Sequence, residues 1–332
     1  MTNSVASTLA DQFSTQYPDI TSIRLRCPNC QKPLLRNASC ARPTCSSCGF
    51  VMAEESGIFR ALSQEREQYF RQFMREYETV RAQEGRGSCS SEFYCALPYQ
   101  DLSGRNAWQW QIRAKTFRCL EQRILPEIER THRNGCDVLD VGAGNGWFSY
   151  RMAQRGHRPV AVDLLNNDSD GLGAARHYFP RLKNAFPLFL AEMDCLPFES
   201  AQFDLIVFNA SFHYSVDYVR TIGEALRCLR RPGTLVIADT AFYAREESGQ
   251  AMLAERRASF QKQFGFASDS IPSLEYLTPA WLKRLEETFS LRWNVLTPSY
   301  GLKWAMRPWK ARFLGRREPS QFHLFSANVP HR

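Results

Sequence analysis

The segment 136–147, CDVLDVGAGNGW, constrains the fold of this 332-residue chain more than any other stretch. A mostly apolar run containing two acids leads into three glycines at alternate positions, and an aromatic pair follows them. This pattern predicts a strand, a tight glycine turn and the start of a helix. Glycines let the backbone approach a ligand closely, and the helix N-terminus offers unpaired N–H groups. We therefore expect a nucleotide-type ligand at this turn.

The details of the turn favour one kind of ligand over another. In the dinucleotide fingerprint G-x-G-x-x-G the third glycine comes one residue later than it does here. In addition, Asp140 precedes the first glycine, Gly142, by two positions. A carboxylate at this place repels a pyrophosphate and attracts a cation. The pattern therefore favours S-adenosylmethionine (SAM), which carries a sulfonium and an α-ammonium group.

Predicted strands and helices alternate from residue 136 onwards, which is typical of a parallel sheet covered on both faces. The predicted strands are 136–141, 158–163, 187–192, 203–210, 234–240, 291–297 and 321–327. The predicted helices are 147–155, a segment from about 171, 217–230, 243–264 and 278–289. We expect an α/β fold in which residues 134–332 form a Rossmann-like seven-stranded sheet, with an insert at 298–319.

Polar side chains follow several of these strands, at the edge where open α/β sheets bind ligands. Asp163 ends the second strand and is expected to hold a ribose, and Asp194 after the third is expected to accept from the adenine amine. Asn209, His213 and Tyr214 follow the fourth strand. His213 is a candidate proton acceptor, a polar orienter or a packed residue, and Tyr214 is a further candidate base. The predicted cofactor pocket comprises Asp140, Gly142, Ala143, Gly144, Asp163, Leu164, Asp194, Cys195 and Asn209.

Asp168 and Asp170 lie in an unusually polar loop after the second strand. They either cap the helix predicted from about 171 or widen the ribose or acceptor pocket. The sequence favours neither alternative.

Cysteines are concentrated near the N-terminus, where five of the eleven lie within residues 27–48. Two C-x-x-C pairs, Cys27/Cys30 and Cys45/Cys48, match the knuckles of a tetrahedral structural zinc site, and four thiolates would close its shell. Cys40 is either a substitute ligand or a buried thiol. A metal-free loop is the alternative, but residues 23–62 contain few large apolar groups and need a staple to fold. We therefore expect a zinc ribbon.

The remaining N-terminal segments predict a flexible lead-in over 1–22 and a helical linker and lid over 63–133. Apolar residues recur at helical spacing within 63–84. Asn106 is expected to cap a helix running to about residue 130, which Pro126 kinks or splits. An aromatic cluster in this region either packs the helix onto the sheet or covers the site: Tyr99, Trp108 and Trp110.

The insert 298–319 interleaves basic and aromatic residues. Such a segment either binds RNA through phosphates and stacked bases, or docks by its tryptophans as a cap over a small-molecule pocket. The net charge of +8 permits an anionic partner without requiring one. No apolar run approaches the roughly 18 residues of a membrane span, and the N-terminus has no signal-peptide pattern. We expect a cytoplasmic protein that uses neither membrane nor DNA.

The ordered motifs VLDVGAGNGW, AVD, MDCLPF, FDLIVFNASFHY and LRRPGTLVIAD resemble the class I SAM-dependent methyltransferases, specifically the type 11 group. The resemblance covers about 136–240. It implies that Asp140, Gly142 and Gly144 surround the methionine moiety, Asp163 the ribose and Asp194 the adenine, with Asn209 near the reacting methyl group. One departure is that Gly233 is followed by Thr234, where the family usually has a second glycine.

A zinc knuckle ahead of such a domain is also similar to the bacterial ribosomal-RNA guanine-N1 methyltransferases. Those enzymes tend to include a histidine ligand, whereas this chain has Cys45 and Cys48, and the loop 164–170 differs from theirs. The predicted function is methyl transfer from SAM to a small molecule. The alternatives are an RNA base methyltransferase, which would use the ribbon and the insert to grip RNA, and a non-catalytic zinc-ribbon scaffold.

Overall fold

The computed structural model describes residues 20–35 and 42–331, so Cys40 and most of the predicted lead-in lie outside the described residues. The strands are β1 Leu25–Arg26, β2 Pro33–Leu34, β3 Ala53–Glu55, β4 Ile58–Arg60, β5 Asp137–Val141, β6 Arg158–Asp163, β7 Leu188–Leu190, β8 Phe203–Asn209, β9 Leu229–Ala238, β10 Ala241–Phe242, β11 Asn294–Leu296, β12 Gln321–Phe322 and β13 Leu324–Val329. The helices are α1 Gln64–Gln83, α2 Ser91–Ala96, α3 Ala107–Arg123, α4 Leu125–Thr131, α5 Trp147–Gln154, α6 Tyr218–Cys228, α7 Glu246–Phe264, α8 Pro279–Phe289, α9 Leu302–Ala305 and α10 Arg307–Phe313.

The predicted seven-stranded sheet is present, in the order β7-β6-β5-β8-β9-β13-β11. Its strands from β7 to β9 are parallel, while β13 runs antiparallel between β9 and β11. The direction of winding reverses at β5, which pairs with both β6 and β8. A crevice forms outside the carboxyl ends of strands at such a switch point. The α/β, Rossmann-like prediction is therefore confirmed, and the glycine turn lies at the switch point.

Two further strands extend this sheet to nine. The hairpin β3–β4 belongs to the segment predicted as ribbon, and β4 pairs in parallel with β7. The sequence does not reveal this pairing because it joins residues far apart in the chain. The ribbon segment therefore contributes backbone hydrogen bonds to the main sheet.

Both faces of the sheet are buried under apolar side chains. Leu139 and Val141 belong to one core cluster, whereas the neighbouring Val138 belongs to the other. The alternation follows from the two-residue period of a strand, and burial on both faces explains the near-continuous apolar runs of the parallel strands.

Several predicted boundaries differ in the structure, two of them markedly. The fifth strand begins at Leu229 and runs through Arg231–Gly233, the segment predicted as a turn, because both ends of this stretch find strand partners in Phe203 and Val329. The helix predicted from about 171 is a pair of 3₁₀ turns, Leu172–His177 and Phe179–Arg181.

The helices that precede the sheet match their predictions. The amphipathic segment forms α1, and the helix after Asn106 splits into α3 and α4 next to Pro126. Asn106 lies at the N-cap position, but its side chain makes no capping bond and instead donates to the carbonyl of Glu84 at 3.2 Å. Of the aromatic cluster, Trp110 packs edge-to-face against Trp147, as the packing alternative predicts. No helix among the described residues is long and apolar enough to cross a membrane.

The insert forms α9 and α10. Trp304 stacks on Phe322 and lies against Tyr300, so α9 packs against the strand β12 through one tryptophan. Trp309 and Phe313 of α10 are instead 74% and 91% exposed. The two helices of the insert therefore differ in exposure, and the cap and the RNA-binding surface both stay predictions.

Candidate active site

The glycine turn adopts a backbone that side chains would disturb. Gly142, Gly144 and Gly146 all have positive φ, at +73°, +55° and +77°. A Cβ on Gly142 would lie 2.2 Å from the Cβ of Ser211, whereas a Cβ on Gly144 would meet only the carbonyl of Asp170 at 3.5 Å. The first glycine is therefore needed for packing against the loop after β8. The second leaves backbone bare at the crevice, as a closely approaching ligand requires.

Asp163, at the end of β6, lies in this crevice, and backbone N–H groups fix the orientation of both of its carboxylate oxygens. Oδ2 accepts from the backbone N–H of Gly144 at 2.7 Å, and Oδ1 accepts from that of Leu165 at 2.8 Å. Burial raises the pKa of Asp163 to about 6, and the two backbone hydrogen bonds oppose this rise. Each oxygen keeps a lone pair for a further donor. Asp163 therefore fits the predicted role of binding a ribose diol.

Asp140 is not among the described residues that line the crevice. It is fully buried, and its Oδ2 accepts from the hydroxyl of Ser149 on α5 at 2.8 Å. Its Oδ1 is buried with no hydrogen-bond partner among the described residues. Burial raises its pKa to about 7, Ser149 lowers it and the charge of Asp163 raises it further. The structure thus places this acid beneath the turn, although the sequence predicts a contact with the ligand.

Replacement of Asp140 by asparagine is expected to stabilise the free protein at pH 8. The native carboxyl binds its proton with a pKa near 7 and the unfolded one near 3.8, so its destabilising effect grows as pH rises between these values. The full effect above pH 7 is on the order of 4 kcal/mol. An unpaired amide N–H in the variant costs about 1–3 kcal/mol, so we expect a net gain of about 2 kcal/mol.

Urea unfolding of Asp140→Asn and the unchanged protein at pH 8 and pH 5 checks this expectation. The difference in free energy of unfolding should shrink at pH 5, where the native carboxyl is protonated. A variant that is less stable than the unchanged protein at both pH values would contradict it. If the charge also attracts SAM, the same variant binds SAM more weakly while being more stable.

The crevice, whose space of about 770 Å³ includes its opening to solvent, brings together most of the predicted cofactor residues. Its lining includes the predicted Gly142, Ala143, Gly144, Asp163, Leu164, Asn209 and Tyr214. Asp170, one of the two loop acids, also lines it, and forms an ion pair with Arg81 at 3.0 Å. Asp168 instead pairs with Arg176 and is 64% exposed. The pocket alternative therefore holds for Asp170, and neither acid caps the 3₁₀ turn.

Two predicted adenine residues lie elsewhere. Asp194 does not line the crevice and forms an ion pair with Arg220 at 3.5 Å. Cys195 is buried against the first cysteine knuckle, where its Sγ accepts from Gln31 Nε2 at 3.0 Å. Their neighbour Met193 does line the crevice. The sequence could not show which of these residues faces the ligand, because successive residues of the turn after β7 face different surroundings: the crevice, Arg220 and the ribbon.

A second cavity, whose space of about 1280 Å³ includes its opening to solvent, adjoins the crevice. Both cavities are lined by Phe73, Tyr77, Arg81, Arg113, Ala210 and Tyr214. The rings of Phe73 and Tyr77 meet that of Tyr214 at centroid distances of 6.0 and 5.6 Å. Three aromatic rings thus form part of the wall that the two cavities share. Aromatic side chains at such a boundary help to keep water from a reacting centre.

His213 lines the second cavity and not the crevice. Its Nδ1 is buried with no hydrogen-bond partner in the described part of the chain. Burial lowers the pKa of His213 to about 4, and the carboxylate of Glu275 opposes this effect. The ring is therefore neutral at pH 7 and can accept a hydrogen bond, but it holds an extra proton poorly. This environment favours the role of polar orienter over that of proton acceptor.

Several residues that line the cavities were not predicted as site residues. Phe73, Tyr77 and Arg81 come from α1, and Arg113 comes from α3. The helix α1 is held to the sheet by Arg66, which forms a bidentate pair with Glu192, and by the Arg81–Asp170 pair. The apolar stripe of α1 indicated burial, but only the fold shows that part of this stripe faces a cavity.

The four predicted metal ligands come together. The sulfurs of Cys27, Cys30, Cys45 and Cys48 all lie within 4.8 Å of one another. The closest pairs are Cys27–Cys48 at 3.5 Å and Cys30–Cys45 at 3.4 Å. Tetrahedral Zn²⁺ with Zn–S bonds of about 2.3 Å needs sulfurs roughly 3.8 Å apart. The cluster therefore fits a structural zinc ion, as the sequence predicts.

The two knuckles around this cluster have the same backbone design. The N–H of Gln31 donates to the carbonyl of Cys27 at 2.9 Å, and that of Gly49 donates to the carbonyl of Cys45 at 3.0 Å. Gln31 and Gly49 both adopt positive φ. Repetition of one turn on either side of four sulfurs is further support for a metal site.

Comparison with known proteins agrees with this geometry. Residues 139–237 match a family model described as a methyltransferase domain. The chain is 29% identical over 124 residues to a ubiquinone/menaquinone biosynthesis C-methyltransferase of Rhizobium etli, covering 37% of this chain and 48% of the relative. It is 32% identical over 143 residues to a malonyl-[acyl-carrier protein] O-methyltransferase of Erwinia pyrifoliae, covering 41% and 48%.

A third relative is a tRNA U34 carboxymethyltransferase of Pseudomonas aeruginosa, 27% identical over 189 residues, which cover 55% of this chain and 50% of the relative. The chain thus spans about half the length of the curated relatives that it matches. The sheet order, the glycine turn and the family match define a class I SAM-dependent methyltransferase domain. The matched segment 139–237 lies within the stretch 136–240 on which the type 11 resemblance rests, and supports that resemblance there.

Proposed function

We propose that this protein transfers a methyl group from SAM in the crevice to a small-molecule acceptor in the adjoining cavity. The observation that carries the proposal is the wall that the two cavities share, which includes the rings of Phe73, Tyr77 and Tyr214; Asn209 lines the crevice side. A cofactor held at the glycine turn would meet an acceptor at this junction. The proposal includes a cytoplasmic location, where the zinc-ligand cysteines stay reduced.

The chain's own residues would contribute mainly alignment and exclusion of water. SAM supplies an already activated methyl group on a cationic sulfur, so the reaction needs the acceptor atom brought into line. Asp163 and the turn backbone would hold the cofactor. Tyr214 has its pKa raised by burial and therefore stays protonated as a hydrogen-bond donor. The unpartnered Nδ1 of neutral His213 would orient a donor on the acceptor.

RNA remains the second candidate acceptor because α10 is accessible. Its exposed Trp309 and Phe313 alternate with Lys310 and Arg312, which suits stacked bases and phosphates. RNA binding through this surface would weaken steeply with salt as counterions are released. A small acceptor in the partly enclosed cavity would show a much flatter dependence.

Transfer of radiolabelled methyl from SAM into a fractionated cell lysate tests the proposal. We expect label in the small-metabolite fraction, unaffected by ribonuclease, and none with the matched variant Gly144→Arg, whose side chain fills the crevice. Label that disappears on ribonuclease treatment would assign RNA as the acceptor. Absence of any SAM-dependent label, with normal folding and zinc content, would support a non-catalytic scaffold.

A further inference from the structure

The second cavity is unusually rich in arginine. Its lining includes four: Arg81, Arg86, Arg113 and Arg256. Two of them form ion pairs with carboxylates of the fold. Arg81 pairs with Asp170 at 3.0 Å, and Arg256 makes a bidentate contact with Glu275, with Nη2 to Oε1 at 2.8 Å. These two cations are neutralised by the protein.

Arg113 differs from the others in having no carboxylate within ion-pair distance in the described residues. Its guanidinium lies over the ring of Trp110 at 4.8 Å. Burial lowers the pKa of Arg113 to about 10, and the charges of Arg86 and Arg81 add to this effect. The group remains a cation at pH 7, yet two other cations of the same cavity lie close enough to act on it. A buried unpaired charge is costly unless an anion joins it.

Arg86 supplies a second unused donor beside it. Its side chain is only 7% exposed, and its Nε pairs with Glu84 at 2.8 Å. Its Nη2 donates to Gln109. Its Nη1, however, is buried with no hydrogen-bond partner among the described residues. The cavity therefore contains donors from two guanidinium groups that the fold leaves without acceptors.

Asp239, an acid on the wall of this cavity, forms no ion pair with Arg113 among the described residues. Asp239 follows β9 and its Oδ1 accepts from Thr116 at 2.5 Å, while Oδ2 has no partner in the described part of the chain. Burial raises the pKa of Asp239, and Thr116 and the more distant Arg113 lower it. Asp239 therefore acts on Arg113 only through space, and a gap separates the two groups.

We propose that the acceptor carries an oxyanion, either a carboxylate or a phosphate, and that Arg113 and Arg86 bind it in the second cavity. This inference rests on the proposed function and names its substrate class. Guanidinium groups match both oxyanions through paired N–H donors, so the shared chemistry is an anionic oxygen group on a small molecule. The aromatic rings on the wall that the two cavities share would pack against the part of the acceptor that receives the methyl group.

Calorimetric titration of the whole, zinc-loaded protein tests this inference. The crevice is first saturated with S-adenosylhomocysteine, the demethylated cofactor. Inorganic phosphate and malonate are then titrated separately, with choline as a cationic comparison. We expect at least one anion to bind and choline not to bind. The variants Arg113→Met and Arg86→Met should each weaken anion binding at least tenfold.

Arg123→Met is the matched control, since this exposed arginine lies on the same helix as Arg113 but outside the cavity. It should bind the anion as the unchanged protein does. Phosphate binding alone would indicate a phosphorylated acceptor, and malonate binding alone a carboxylated one. If S-adenosylhomocysteine binds and neither anion does, or if the anion binds all variants equally, the inference is overturned and the proposed methyl transfer stands. If S-adenosylhomocysteine fails to bind, the proposed function itself fails.

Discussion

Replacement of Asp163 by alanine is expected to weaken SAM binding at least about 100-fold. The carboxylate lies in the crevice and is held in place by the backbone N–H groups of Gly144 and Leu165. A ribose diol would donate two charge-assisted hydrogen bonds to it, each contributing about 1.5–3 kcal/mol. Loss of both therefore corresponds to at least about 3 kcal/mol of binding free energy. Calorimetric titration with S-adenosylhomocysteine measures the change.

Two further variants make the result specific. Asp168→Ala removes an exposed acid that is paired only with Arg176 in the same loop region, and should leave the affinity unchanged. Asp163→Asn keeps one oxygen acceptor and should fall between alanine and the unchanged residue. Equal affinity of Asp163→Ala and the unchanged protein would refute the ribose assignment. Melting temperatures recorded alongside would show whether the loss of the two backbone hydrogen bonds also loosens the turn.

Removal of zinc is expected to destabilise the protein and to weaken SAM binding together. The ribbon is joined to the segment after β7: the N–H of Arg26 donates to the carbonyl of Pro197, and that of Glu199 donates to the carbonyl of Arg24, both at 3.0 Å. Structural zinc contributes directly to folding free energy. If the loss of zinc lowers the free energy of unfolding of the main domain by about 4 kcal/mol, the melting temperature falls by roughly 10 °C. Met193, in the same segment, lines the crevice, so its position should also change.

The measurement combines metal analysis, thermal unfolding and cofactor titration. One zinc ion per chain should be found, and the double variant Cys27→Ser, Cys45→Ser should lack it. Cys89→Ser is the control, because Cys89 is exposed and outside the cluster. A zinc-free protein with an unchanged melting temperature and unchanged cofactor affinity would show that the ribbon is an independent unit.

Local patterns in the sequence were sufficient for the sheet, the glycine turn and the metal knuckles. The turn could be predicted because its glycines and the strand before it are adjacent in the chain. The position of Asp163 in the crevice could be predicted because β6 ends beside that turn. Asp140 could not be placed, because an acid at a strand end can point above or below the sheet. Its direction depends on Ser149, a partner on the following helix.

Cavity residues that lie far from the glycine turn in the sequence could not be predicted for a different reason. Tyr77 and Arg113 come from helices that precede the sheet, and their place at the cavities depends on how those helices pack. The spacing of α1 shows one apolar stripe, and it does not distinguish contact with a core from contact with a cavity. Likewise, Cys195 was predicted in the cofactor pocket, but it is buried against the ribbon.

The hairpin β3–β4 has a consequence for where the functional unit begins. A shortened protein starting near residue 134 would keep every nucleotide-binding motif and the whole matched segment 139–237. It would nevertheless expose the unpaired edge of β7, which β4 now covers, and it would lose the wall that Tyr77 and Arg113 provide. An open strand edge of this kind invites self-association. We therefore expect the smallest piece that binds SAM to include the cysteine-rich N-terminal part. The motif-bearing segment alone should self-associate and lack one side of its pocket.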